Sequence, residues 1–193
     1  MKPKKILLIG SYLPSLLNFR GDLIVALKAD GFEVFVSAPD ASNYPTEVER
    51  IKSLNVSFCE IPMARTGLNP FKDIKTLLAI RSVIKDYGIT HLLVYTIKPV
   101  VYGLLATLGL GVKHKTALVT GLGYAFGEGN GFKFKIISFL ARQLYVFSLA
   151  CASRVIFQNP DDRNKFVSLG IVNNTKTRVV NGSGINIDLF KYA

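Results

Sequence analysis

The chain has 193 residues, of which 49% are hydrophobic and 19% charged, a length that suits one domain with a single hydrophobic core. This apolar content excludes a disordered chain. The 24 Lys and Arg residues against 13 Asp and Glu residues give a net charge of +11. Such a charge favours phosphate-rich partners, namely lipid headgroups, pyrophosphate substrates or nucleic acid, and a merely soluble basic surface is the alternative.

The N-terminus lacks the features of a secretory signal. After the basic residues 2–5, only residues 6–9 form an apolar run before Gly10, which is too short for a signal peptide. Cys59 and Cys151 lie far apart among apolar neighbours, a pattern typical of free cytosolic thiols rather than of a disulfide framework. We therefore expect a cytoplasmic protein.

Short apolar or β-branched runs alternate with longer stretches of helical spacing along the chain. The runs lie at residues 5–10, 33–37, 57–61, 91–95, 116–120, 154–158 and 178–180, with about six helices between them. This alternation predicts an α/β fold, a Rossmann-like doubly wound parallel sheet of about seven strands with helices on both faces.

The clearest predicted helix spans Pro70–Tyr87. Asn69 is placed to cap its first turn, Pro70 suits the first helical position, and Gly88 suits the position just after the end. The apolar spacing predicts one buried face, formed by Phe71, Ile74, Leu77, Leu78 and Ile84.

Residues 132–151 form a long apolar stretch that Arg142 interrupts, and its uncharged part is shorter than the ~20 residues that a membrane span needs. Two interpretations stay open. The stretch is a helix packed on the sheet, or it lies partly at a bilayer interface with Lys133, Phe134 and Lys135 in contact with lipid. Both interpretations hold if one end of the stretch packs on the sheet and the other end contacts lipid.

Ligands of a doubly wound sheet bind at the carboxyl ends of the strands. Asn18 and Arg20 follow the first strand, where we expect a helix to begin, and Thr96 and Lys98 follow the fourth strand, just before another helix. Arg20 can bind phosphate through charge-assisted hydrogen bonds, or it can simply pair with Asp22. A lysine beside helix N–H groups favours an anion. We expect Arg20 and Lys98 to converge on one rim of the sheet and to hold two phosphates.

A glycine-rich loop follows the fifth strand. Five glycines occur within residues 121–131, which allows the backbone to approach a ligand closely or the loop to move as a lid. Gly123 and Tyr124 are the candidate ligand-binding residues of this loop, with a purely structural role as the alternative.

Several kinds of site are excluded because their motifs are missing. Gly121 and Gly123 would need a third glycine at position 126 for a dinucleotide fingerprint, but Phe126 stands there. The sequence has no Walker A motif and no Gly-x-Ser-x-Gly elbow, and its two histidines have no ligand-spaced partners. We therefore expect neither a dinucleotide-dependent oxidoreductase nor a metal site.

Five segments, in the order typical of the family, resemble the N-terminal domain of family-4 glycosyltransferases with the GT-B architecture. They are residues 18–24, 95–99, 120–126, 157–162 and 182–190. The chain is similar to bacterial transferases that add N-acetylgalactosamine or a related sugar to undecaprenyl-pyrophosphate-linked glycans. The resemblance implies a Rossmann-like acceptor-binding domain over residues 1–182 and the start of an interdomain linker over residues 183–193. The family's Glu-x7-Glu pattern is absent, so we interpret the chain as the acceptor half, without the C-terminal donor-binding domain.

This resemblance also implies an activity. The full-length enzyme would be a retaining glycosyltransferase of bacterial surface polysaccharide or lipopolysaccharide synthesis, with a nucleotide sugar, expected to be a UDP-sugar, as donor. Its acceptor would be a lipid-pyrophosphate-linked glycan, with the phosphates on Arg20 and Lys98 and the glycan positioned by Tyr124. The domain itself would bind no cofactor, would be inactive alone, and would lie on the inner face of the cytoplasmic membrane beside anionic lipid.

A non-catalytic module that binds polyanions, nucleic acid or membranes is the alternative hypothesis. Beyond its charge, the sequence shows no helix-turn-helix, zinc finger or other nucleic-acid motif. We therefore do not expect nucleic acid as a partner.

Overall fold

A computed structural model describes residues 4–67, 69–123 and 131–184, apart from the side chain of Lys133. These residues form one seven-stranded sheet in the order β3-β2-β1-β4-β5-β6-β7, and every pairing between its strands is parallel. The strands are β1 (Lys4–Ile9), β2 (Phe32–Ala38), β3 (Ser57–Glu60), β4 (His91–Tyr95), β5 (His114–Val119), β6 (Arg154–Phe157) and β7 (Thr177–Val179). The predicted Rossmann-like parallel sheet is confirmed.

Helices cover the sheet in two layers, and each layer encloses its own hydrophobic core. The α-helices are α1 (Leu13–Ala29), α2 (Pro45–Ser53), α3 (Pro70–Tyr87), α4 (Leu104–Ala106), α5 (Phe132–Ala150) and α6 (Pro160–Ser168), and a π-helix (Pro99–Gly103) precedes α4. Helices α1 and α2 pack on one face of the sheet, and the others pack on the opposite face. Alternation along the strands supplies both cores, since Ile6 and Leu8 face the first layer while Leu7 and Ile9 face the second.

The ends of α3 follow from local chemistry, as predicted. The side-chain oxygen of Asn69 accepts a hydrogen bond from the backbone N–H of Lys72 at 3.1 Å and satisfies one free donor of the first turn. Gly88 ends the helix in the left-handed region with φ 63°, a conformation that glycine adopts without steric cost.

The predicted buried face of α3 is wrong at Phe71, Ile74 and Leu78, whereas Ile84 is buried and Leu77 packs against the core as predicted. Phe71 is 86% exposed, and Ile74 and Leu78 are each 57% exposed. The helix instead buries Asp73, Thr76, Ile80 and Ile84. Its rotation about its own axis follows from polar partners: Asp73 pairs with Lys98, and the Thr76 hydroxyl donates to the Pro62 carbonyl at 2.6 Å. Apolar spacing alone cannot reveal such long-range contacts.

The expected helix start near Asn18 is also wrong. Helix α1 begins at Leu13 and carries Pro14 in its first turn, where a missing backbone N–H is harmless. Asn18 and Arg20 therefore lie inside the helix, and their backbone N–H groups are not free to bind an anion.

No helix in the described part of the chain combines the length with the apolar character that a bilayer crossing demands.

Candidate functional site

The chain reverses its winding between β1 and β4. Strand β1 pairs with β2 on one side and with β4 on the other, so the loops after β1 and β4 lead away from each other and leave a crevice at the carboxyl edge. Ligands of open parallel sheets bind in this crevice. The backbone is tight there, because a Cβ atom on Gly10 would lie 2.4 Å from the Tyr95 hydroxyl oxygen.

Hydroxyl groups of the chain after β1 form hydrogen bonds across the crevice with hydroxyl groups at the end of β4. The Ser15 and Tyr95 hydroxyls lie 2.9 Å apart, and Thr96 donates from its hydroxyl to Ser11 Oγ, also at 2.9 Å. Thr96 adopts the left-handed region with φ 68°, which is rare for a β-branched residue. Backbone strain of this kind persists where the surrounding contacts enforce it and is frequent at functional sites.

Arg20 reaches this crevice from the third turn of α1, and only 4% of it is exposed. Its Nη1 donates to the Phe19 carbonyl at 2.7 Å, its Nη2 lies 3.5 Å from Ser183 Oγ, and its guanidinium carbon lies 5.1 Å from the centre of the Tyr95 ring. Within the described residues it forms no ion pair with Asp22, and its buried Nε has no hydrogen-bond partner. Burial lowers the pKa of the guanidinium, yet an arginine remains charged at neutral pH.

A cavity of about 400 Å³ adjoins Arg20. Its polar lining includes Asn18, Arg20, Asp22, Gln158 and Ser183, and its apolar wall includes Leu93, Leu118 and Ile156 from the sheet. Gln158 Nε2 also donates to Ser183 Oγ, so the residue after β6 and the residues after β7 close the site together. A buried cation beside polar side chains and an apolar wall suits an anionic group attached to an apolar or carbohydrate moiety.

A second cavity of about 250 Å³ lies beside the first. Thr96, Ile97, Thr120, Gly121 and Gly123 line it at the carboxyl edge, and Leu118 lines both cavities. Gly123 has φ 68°, and a Cβ atom there would lie 2.6 Å from Ile97 Cδ1. The backbone of Gly123 thus approaches the Ile97 side chain closely, and its close approach to a ligand stays a prediction. Tyr124 lies outside the described residues.

Lys98 occupies a different environment from Arg20. It is 8% exposed, and its Nζ lies 2.7 Å from Asp73 Oδ1. Burial and a hydrogen bond with Asp73 raise the pKa of Tyr102, which therefore stays neutral beside this ion pair. Lys98 lines neither cavity, so the structure does not bring Arg20 and Lys98 together around one ligand. A carboxylate already balances the Lys98 charge.

The predicted lipid-contact residues lie in the first turn of α5. Lys135 is exposed and Phe134 is half-buried, whereas the side chain of Lys133 lies outside the described residues. Further along the helix, Tyr145 and Leu149 are buried in the core. The second half of α5 thus packs on the sheet, as one of the two open interpretations predicted.

The candidate residues proposed from the sequence did not include Gln158, Ser183 and Tyr95. A signal for all three was present, because each ends or follows a strand and belongs to one of the segments 95–99, 157–162 and 182–190. What sequence could not supply was their proximity to Arg20, which lies in the first helix.

These observations define a doubly wound α/β domain with two cavities at the carboxyl edge of its sheet. Residues 19–182 match the family of the glycosyl transferase 4-like domain, and the chain belongs to this family. The predicted resemblance to family-4 glycosyltransferases is confirmed.

Among curated proteins, the chain is 30% identical over 176 residues to the N,N'-diacetylbacillosaminyl-diphospho-undecaprenol alpha-1,3-N-acetylgalactosaminyltransferase of Campylobacter jejuni. The match covers 91% of this chain and 45% of that protein, so the chain spans less than half the length of this relative.

Solved structures share the fold. A glycosyltransferase from Rickettsia africae matches with a TM-score of 0.65 and 20% identity, over 98% of this chain and 45% of its own. Sucrose-phosphate synthase from Thermosynechococcus elongatus matches with a TM-score of 0.69 and 14% identity, over 96% of this chain and 49% of its own.

Proposed function

We propose that this chain is the acceptor-binding domain of a retaining glycosyltransferase. The full-length enzyme transfers a sugar from a nucleotide donor, expected to be a UDP-sugar, to a lipid-pyrophosphate-linked glycan. The observation that carries the proposal is the 30% identity, across 91% of the chain, to a transferase whose name specifies a diphospho-undecaprenol-linked sugar. On this proposal the donor half follows the segment 183–193, and this domain holds no cofactor of its own.

The larger cavity offers what a lipid pyrophosphate needs. Arg20 presents a buried positive charge and an unused Nε donor, and charge-assisted hydrogen bonds to phosphate are among the strongest in proteins. Asn18, Gln158 and Ser183 add neutral polar groups along the same wall, which suits ester and sugar oxygens. We therefore place the acceptor phosphates beside Arg20.

The smaller cavity is the proposed position of the acceptor glycan. Thr96 and Thr120 supply hydroxyl groups there, and Gly121 and Gly123 leave the backbone accessible. The family resemblance would add Tyr124 to this site. Holding the glycan beside its pyrophosphate orients the acceptor hydroxyl toward the donor half, and such orientation supplies a large part of the rate enhancement of bimolecular reactions.

A lipid-linked acceptor requires access to the membrane, so we also propose a peripheral location on the cytoplasmic membrane. The first half of α5 supports this location. Phe132 is 80% exposed, Phe139 is 60% exposed, and Lys135 is exposed between them. Exposed aromatic and basic side chains on one helix suit the headgroup region of a bilayer.

The proposal is tested by acceptor binding in the absence of a donor. Residues 1–193 are titrated with a short-chain polyprenyl-pyrophosphate-linked sugar, and a UDP-sugar is titrated in parallel. We expect saturable binding of the pyrophosphate-linked acceptor that Arg20→Ala weakens. Binding of the UDP-sugar alone would assign the cavity to a donor and contradict the acceptor role.

A further inference from the structure

We propose that α3 is a second lipid-contact helix and that it forms, with the first half of α5, one docking surface for an anionic bilayer. This inference rests on the proposed peripheral location of the enzyme and adds an element that the sequence pattern assigned to the core. The α3–α5 surface is defined by Phe71, Ile74, Leu78, Phe132, Ile136 and Phe139.

The first observation is the exposure of an apolar stripe on α3. Phe71, Ile74 and Leu78 recur at the three- and four-residue spacing that places side chains on one helical face, and they are 86%, 57% and 57% exposed. Single exposed apolar side chains are common. A stripe that continues over about two turns is not common, and such patches mark binding surfaces.

The second observation is a matching stripe on α5. Phe132, Ile136 and Phe139 follow the same spacing and are 80%, 44% and 60% exposed. Both helices pack against the π-helix Pro99–Gly103 and so belong to the same layer of the fold. The two apolar stripes therefore flank one segment on one side of the molecule.

Both stripes lie at the edge of the sheet that carries the cavities. In a parallel sheet, each helix that follows a strand starts at the carboxyl edge and runs back toward the other edge. Phe71 and Ile74 occupy the first turns of α3, and Phe132 and Ile136 those of α5. The Thr96 cavity is lined from the face of the sheet that carries α3 and α5, by Val100, Val119 and Tyr145. A bilayer on this surface would thus adjoin the Thr96 cavity, which suits an acceptor that stays anchored in lipid.

The charge of the α3–α5 surface indicates which kind of partner binds it. Lys72, Lys75 and Lys135 are exposed beside the apolar stripes. The acid in the first turns of α3, Asp73, is buried against Lys98, and the sequence of α5 contains no acid. Basic residues beside apolar side chains attract anionic headgroups. A second copy of the chain would bring like charges together, so we assign the surface to an anionic bilayer.

The test uses the absence of tryptophan from this chain. Phe71→Trp and Phe139→Trp place a single fluorophore on each stripe, and Val25→Trp places one on α1, where Val25 is 50% exposed on the opposite layer. With phosphatidylglycerol vesicles, we expect blue-shifted emission and bromolipid quenching for Phe71→Trp and Phe139→Trp but not for Val25→Trp. Pure phosphatidylcholine vesicles should give a weaker response.

The partition coefficient of the protein between water and vesicles measures how much α3 contributes to membrane binding. The triple variant Phe71→Ser, Ile74→Ser and Leu78→Ser should lower the partition coefficient for phosphatidylglycerol vesicles by about tenfold or more. The control variant Val25→Ser removes an exposed apolar side chain from α1 and should bind as the wild type does. Circular dichroism verifies that both variants are folded.

The outcomes separate this inference from the proposed function. A vesicle response from Phe139→Trp but not from Phe71→Trp would overturn the role of α3 and leave the acceptor proposal standing. Concentration-dependent dimers that shield Phe71→Trp without lipid would replace the bilayer by a second copy and also overturn it. A normal vesicle response without acceptor binding would contradict the proposed function and leave the docking surface standing.

Discussion

Arg20 lies with its guanidinium carbon 5.1 Å from the centre of the Tyr95 ring, and this contact joins the first helix to the end of β4. Burial raises the pKa of Tyr95 to about 12, so the phenol remains neutral at physiological pH. The ring attracts the cation through its π face, while its hydroxyl lies 2.9 Å from that of Ser15. None of the described partners of Arg20 is a carboxylate, which leaves its charge available to an anionic ligand.

Arg20→Ala should therefore impair acceptor binding in the full-length enzyme. Loss of one charge-assisted contact implies an acceptor KM raised by about tenfold to hundredfold, with the donor KM unchanged. Steady-state kinetics with each substrate varied in turn measures the difference. Arg50→Ala removes the same charge from the exposed surface of α2 and should leave both constants unchanged. Equal increases in the two KM values would contradict an acceptor-specific role.

Lys98→Ala should act mainly on stability. Removal of one partner leaves Asp73 buried without its counter-ion, and breaking a buried pair costs about 3–5 kcal/mol. Urea denaturation should show a lower free energy of unfolding for Lys98→Ala and for Asp73→Ala. Lys5→Ala breaks the more exposed pair with Glu33, at 3.3 Å, and should cost less than about 1 kcal/mol. A fully stable Lys98→Ala variant with weakened acceptor binding would restore Lys98 to the phosphate site.

Two glycine substitutions should have opposite effects. In Gly10→Ala, the new Cβ would lie 2.4 Å from the Tyr95 hydroxyl oxygen, so Tyr95 must move, and overpacking of this kind costs about 1–3 kcal/mol. In Gly21→Ala, the new Cβ meets nothing within 4 Å inside α1, so the variant should gain roughly 0.5–1 kcal/mol from helix propensity. Thermal unfolding measures both changes, and destabilisation by Gly21→Ala would show that the helix interior lacks this space.

His91 should make stability depend on pH. Burial, followed by the neighbouring charges of His114, Lys4 and Lys113, lowers the pKa of His91 from its ordinary value of 6.5. The unfolded chain therefore binds the proton more readily than the folded chain does. Neutral His91 thus contributes stability that is present above pH 6.5 and is lost as the pH falls through the lowered pKa of the folded protein. Melting temperatures of the wild type should drop more than those of His91→Gln between about pH 7 and pH 5. Parallel curves would exclude a contribution from His91.

The sequence alone determined the features that arise from neighbouring residues. Apolar or β-branched runs located the seven strands of the described sheet to within about two residues. The signal is clearest in strands buried on both faces, such as β1, because these must be continuously apolar. Asn69, Pro70 and Gly88 fixed the ends of α3, since capping acts within one helical turn. The five family segments indicated a glycosyltransferase because they place particular residues after particular strands.

Only the tertiary structure decided which side chains meet. Arg20 and Ser183 are separated by 163 residues along the chain, and Lys98 and Asp73 by 25, so no local pattern links them. The pairing with Asp73 gives Lys98 a carboxylate partner inside the fold, and the same helix exposes its apolar stripe to solvent. Hydrophobic spacing measures how apolar side chains are distributed around a helix, but the buried face depends on the polar partners that the rest of the fold brings to it.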